Sequence, residues 1–121
     1  MHIGEVAEKT GLSLRTLRHY DDVGLLKVSA RTEGGFRVYT AEDVSRLLLI
    51  RRMKPLGFTL EEMAELLDVV DELATSDADA IDAPAVRERL ARFIDEVEQR
   101  REKLRQNLAY ADEFLALLTR Q

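Results

Sequence analysis

Cysteine is missing altogether, and its absence removes more chemistry than any other feature of this 121-residue chain. No disulfide can form, no thiolate can hold a metal, and no cysteine redox switch is available. Long apolar runs are missing as well. No stretch reaches the roughly 18 consecutive apolar residues that a membrane-crossing helix needs. The first residues, Met1-His2-Ile3-Gly4-Glu5, lack the basic segment and apolar core of a secretory signal, so the expected location is the cytoplasm. Neither glycine-rich phosphate pattern, G-x-x-x-x-G-K-[S/T] or G-x-G-x-x-G, occurs, so nucleotide use is not indicated. The two histidines, His2 and His19, stand at no recognisable spacing from a nucleophile. The acidic stretch with Asp77, Asp79 and Asp82 lacks the turn glycine and closing Glu of a calcium loop. No catalytic set, cofactor site or metal site is expected, and the chain is not read as an enzyme.

What is present is enough apolar material for one compact domain with an extension: 45% of residues are hydrophobic and 34% are charged. The net charge of −5 is unevenly spread. Residues 1–58 hold ten Lys/Arg against seven Asp/Glu, a net of +3. Residues 59–121 hold eight against sixteen, a net of −8. A basic first half joined to an acidic remainder fits a nucleic-acid surface attached to something else.

The periodicity predicts a short first helix over 3–10, with Ile3, Val6 and Ala7 turned inward. Gly11 suits a left-handed turn, and Ser13 is a good N-cap for a second helix running to about Val23 and stopped by Gly24. Leu25, Leu26 and Val28 then lead into extended chain. Gly34-Gly35, flanked by Phe36, Val38 and Tyr39, signals a hairpin. Thr40 with Asp43 resembles a capping box for a third helix, which carries Val44, Leu47, Leu48 and Ile50 and which Pro55 should end or kink. Thr59 with Glu62 is a second box, opening a helix with Leu60, Met63, Leu66, Leu67 and Val70. The expected organisation is therefore a mainly α chain: a helix–helix–wing–helix–helix head over 1–73, a small, acidic linker over 74–83, and a long helix over 84–121. Nothing breaks a helix from Pro84 to Thr119, a span of ~54 Å at the α-helical rise.

Two sets of residues stand out for function. In the second helix, Arg15 and Arg18 lie three apart on one face, while Leu14 and Leu17 lie on another. One face can pack while the other enters a DNA major groove, where arginine forks onto guanine O6 and N7. Ser13 and Thr16 near the helix start and Tyr20 at its far end add candidate contacts to phosphate or base. The wing offers Arg31, Arg37 and Tyr39 for the DNA backbone, and Arg51, Arg52 and Lys54 form a second basic cluster.

The other set is a seam in the long helix. Val86, Leu90, Phe93, Val97, Arg100, Leu104, Asn107, Ala111, Phe114 and Leu118 follow a 4–3 spacing, and only Arg100 and Asn107 are polar. So long a seam cannot be covered by one small head, and a second copy of the chain, parallel or antiparallel, is the simplest cover. The rival covers are the chain's own domain, if the seam folds back on it, and a different protein recruited by the same helix.

Taken in order, Ile3-Gly4-Glu5-Val6-Ala7, Arg15-Thr16-Leu17-Arg18-His19-Tyr20, Gly24-Leu25-Leu26, Gly35-Phe36-Arg37-Val38-Tyr39 and Leu56-Gly57-Phe58-Thr59-Leu60-Glu61-Glu62 resemble the MerR family of transcriptional regulators. The resemblance is close over residues 3–73 and extends to the long helix by position and character. It implies a winged helix-turn-helix head, an antiparallel coiled-coil homodimer and a palindromic promoter operator. It also implies DNA untwisted and bent so that RNA polymerase engages both promoter elements. By that analogy Arg15 and Arg18 enter the groove, and Tyr20, Arg37 and Tyr39 hold phosphates. Metal- and redox-sensing relatives place cysteines at the ends of the dimerisation helix, and multidrug-sensing relatives carry a ligand domain beyond it. With no cysteine and a last residue at Gln121, the expectation is a minimal regulator. Any small-molecule effector would use the space near Phe58, Leu66, Val70 and the 74–83 linker.

Overall fold

Capping chemistry sets where each element begins and ends. The structure, a computed structural model, describes residues 1–26, 30–75 and 83–121. Helix α1 runs Ile3–Thr10 and stops at Gly11, whose φ of 71° is a left-handed conformation that glycine adopts without a Cβ clash. The Gly11 N–H returns to the Ala7 carbonyl at 2.9 Å. Thr10 is fully buried, donates its hydroxyl to the Val6 carbonyl at 2.8 Å and accepts from the Leu12 N–H at 3.3 Å. The tight turn is thus hydrogen-bonded throughout rather than merely short.

Helix α2 runs Leu14–Asp22 and is capped by Ser13, which accepts from the Thr16 N–H at 3.0 Å. Its last residue falls one short of the expected Val23. Strands β1 (Ala30–Arg31) and β2 (Arg37–Val38) pair antiparallel, with Arg31 opposite Arg37, and His2 bridges Val38 on the other side. Gly35, at φ 82°, lets the chain reverse between the strands. Val28, expected in the extended approach to the wing, lies outside the described residues.

Helix α3 (Ala41–Met53) opens with the complete Thr40/Asp43 capping box, in spite of the short aspartate. A 3₁₀ turn over Lys54–Leu56 follows, because Pro55 has no N–H with which to continue the α ladder. The Thr59/Glu62 box then starts α4 (Leu60–Thr75), with bonds of 3.1 and 2.9 Å. Helix α4 continues through residues 74 and 75, which the sequence suggested as the start of a connector. The rest of that expected linker, up to residue 82, lies outside the described residues.

The chain forms two compact units, Met1–Asp68 and Val69–Gln121. In the first, α1 packs on α3 and on α2 around Val6, Leu17, Leu47 and Ile50, each at most 1% exposed. In the second, Arg89 of α5 (Ala83–Thr119) donates to Glu72 of α4 at 3.2 Å, and Val86 is buried. From residue 101 to the end every residue of the chain is exposed.

Candidate nucleic-acid interface

Helix α2 is strongly two-faced. Leu17 and Tyr20 turn into the core, at 1% and 3% exposure, while Arg15, Arg18 and His19 face outward. Leu14, expected on the packing face, stands 40% exposed at the start of the helix. Arg15 and Arg18 have no ion pair among the described residues. Neither carries a compensating carboxylate, so each guanidinium is open to an external anion or base edge. Ser13 and Thr16 are occupied with each other: the Ser13 hydroxyl donates to Thr16 Oγ1 at 2.8 Å. Their first duty is therefore to start the helix.

The wing arginines stand differently from the expectation of open cations. Arg31 donates to Asp21 Oδ2 at 2.7 Å and to the Gly35 carbonyl at 3.1 Å. Arg37 donates through Nε to the same Asp21 oxygen at 2.7 Å and through Nη2 to Asp22 at 3.3 Å. The hydrogen bond it donates to Asp21 is the main reason the Arg37 guanidinium holds its proton more firmly than usual, against a smaller opposing effect of burial.

The expectation that Tyr39 holds a phosphate is corrected. Its ring is packed in the core at 2% exposure, and its phenolic oxygen is sealed there with no hydrogen-bond partner among the described residues. An apolar core accepts the aromatic body, and the hydroxyl goes in with it. Tyr20 likewise commits nearly all of its surface to the core. Burial raises the pKa of both phenols.

The second basic cluster divides. Arg51 donates to the Thr10 carbonyl at 2.9 Å and so ties the end of α1 to α3. Arg52 and Lys54 are exposed and have no ion pair among the described residues. Of the candidate DNA-contacting cations, those left open among the described residues are Arg15 and Arg18 on α2 and Arg52 and Lys54 at the end of α3.

Three residues of this surface escaped sequence reasoning. Phe36, 71% exposed at the wing, helps to line an open cleft of about 490 Å³ with His2, Ile3, Arg18, Gly35 and Arg37. Its signal was an aromatic placed directly after a Gly-Gly turn. Asp21 and Asp22 carried a subtler one: carboxylates at a helix C-terminus oppose the helix dipole, which implies a cationic partner nearby.

The seam of α5 also divides. Val86 is buried, and Leu90 and Phe93 are half-buried. Val97, Leu104, Asn107, Ala111, Phe114 and Leu118 are exposed, and Arg100 donates to Glu96 at 3.0 Å. Ile94, Leu108 and Leu115, outside the expected seam, are exposed too. Leu108 and Leu115 each follow an expected position by one residue, so the apolar stripe is broader than a two-position seam.

Comparison with known proteins agrees with this arrangement. The description "MerR HTH family regulatory protein" matches residues 1–69, and "MerR, DNA binding" matches residues 44–110. The mercuric resistance operon regulatory protein of Bacillus cereus is 49% identical over 69 residues, covering 57% of this chain and 52% of that protein. The match therefore spans about half of that relative's length. An uncharacterised HTH-type transcriptional regulator of Pseudomonas aeruginosa is 39% identical over 106 residues, covering 86% of this chain and 80% of that protein. Among solved structures, HiNmlR, a MerR family regulator lacking the sensor domain and bound to promoter DNA, matches with a TM-score of 0.70 at 26% identity. That match covers 95% of this chain and 86% of the other. A two-faced second helix, a short wing and a long exposed helix, carried on a sequence so matched, establish that this chain belongs to the MerR HTH family of regulatory proteins.

Proposed function

We propose that this chain is a sequence-specific DNA-binding transcriptional regulator that acts by binding rather than by catalysis. Residues 1–73 serve as the DNA-binding head and residues 84–121 as the dimerisation helix. One observation carries the reading: Arg15 and Arg18 stand exposed, with no ion pair among the described residues, on the outer face of α2, whose inner face is locked into the core by Leu17 and Tyr20. A rigid helix with two open guanidinium forks has the chemistry that reads guanine edges in a major groove. Arg52 and Lys54 supply further charge for phosphates. The likeness to a relative solved on promoter DNA supports the same direction.

Two heads joined through the exposed stripe of α5 would meet a palindromic operator with two-fold symmetry. Strain imposed on the DNA between the half-sites would then alter how RNA polymerase engages the promoter, in the cytoplasm, where that DNA is held. The test is affinity for a promoter fragment. Arg18→Ala should cost ~1–3 kcal/mol of specific binding and relax selectivity at one position of each half-site. Unchanged affinity in that variant contradicts the base-reading role.

A further inference from the structure

Each strand of the wing is only two residues long, too short to hold a hairpin unaided. The register sets Arg31 directly opposite Arg37, and residues so paired present their side chains on one face, where like charges repel. One carboxylate oxygen answers both problems. Asp21 Oδ2 lies 2.7 Å from Arg31 Nη2 and 2.7 Å from Arg37 Nε, and the Asp21 side chain is only 8% exposed. Asp22 holds Arg37 in another manner, at 3.3 Å and with its side chain 67% exposed. Both aspartates close α2, where the dipole of the helix does not favour them. Their place is explained by the wing, not by the helix.

We propose that Asp21 is the positioning residue that fixes the wing arginines relative to α2, and that Asp22 is a stand-in which a DNA phosphate displaces from Arg37. The inference rests on the DNA-binding reading above. Phosphate and carboxylate both offer paired oxygens to a guanidinium. The Nε side of Arg37 stays on desolvated Asp21 while Nη2 passes from the water-exposed Asp22 to the strand. The wing is therefore held in place before DNA arrives, and only an exposed contact is exchanged on binding.

Asp21→Asn and Asp22→Asn each remove one negative charge, so simple electrostatics expects both to tighten DNA binding. The clamp expects opposite signs. With the full chain, DNA enriched from a random pool and a scrambled duplex as control, Asp21→Asn should weaken binding to the enriched DNA by about tenfold, and Asp22→Asn should tighten it by about threefold. Tightening by both variants overturns the proposal. If Asp21→Asn fails to fold, the unaltered chain supplies the result by NMR. The Arg37 Nε–H signal should persist on adding DNA while the Asp22 carboxyl carbon shifts. Loss of that signal, or a stationary Asp22, overturns it equally. A chain that binds enriched and scrambled DNA alike refutes the DNA-binding reading instead. The clamp is then decided on the DNA-free chain, where Arg37 Nε–H must exchange slowly.

Discussion

At the scale of single residues, a side chain's partner mattered more than its type. Arg15, Arg18, Arg31 and Arg37 look equivalent in the sequence, yet the first two have no ion pair among the described residues and the last two are bound to Asp21. Spacing along a helix revealed the first pair. The second depends on a carboxylate brought near by the fold, which no local pattern encodes. Tyr39 makes the same point, because an aromatic beside a wing is equally suited to a phosphate or to the core. Burial raises the phenols of Tyr20 and Tyr39 above the ordinary 10.0, and at Tyr39 Arg37 pulls more weakly the other way. A group whose folded pKa is raised contributes its full stability below the unfolded value and loses it as pH rises through the folded value. Unfolding free energy should therefore hold steady near neutrality, as far as these two groups are concerned, and decline above pH 10. Because the Tyr39 hydroxyl is buried without a partner among the described residues, Tyr39→Phe should cost little at pH 7 and should flatten the alkaline decline. Denaturant titrations of both proteins across that range check this, and an unaltered alkaline slope contradicts it.

At the scale of elements, the sequence was most legible where a side chain bonds to backbone close by. Ser13, Thr40 with Asp43 and Thr59 with Glu62 mark helix starts that the structure confirms bond for bond. Their geometry spans three residues, so no tertiary information is needed. The wing was legible as a hairpin from Gly34-Gly35, but its attachment to α2 was not. The end of α4 was also missed, because Ala74 and Thr75, small residues with no breaker among them, can continue a helix when nothing forces a stop. The caps are not equal in weight. Thr59→Ala should cost ~1 kcal/mol, the usual loss for an exposed N-cap. Asp43→Ala should cost more, because Asp43 is 4% exposed, caps the Thr40 N–H and lies 3.7 Å from Arg46. Chemical denaturation of the two variants gives the order, and equal losses would contradict it.

At the scale of the whole molecule, the charge division and the long helix carried the information. The basic half of the sequence contains the open arginines, and the acidic half contains the exposed stripe. The heptad spacing announced that stripe, but its breadth came from Ile94, Leu108 and Leu115, which a strict two-position seam leaves out. A partner's surface decides which flanking positions are covered, and one chain does not encode that choice locally. In a two-headed regulator, Arg15 and Arg18 are read twice, once in each half of a symmetric site. The most direct measurement is selection of bound duplexes from a random DNA pool by the full chain. Enrichment of an inverted repeat, two identical half-sites in opposite orientation, is the predicted result. Enrichment of a single unrepeated site, or no enrichment at all, would contradict it.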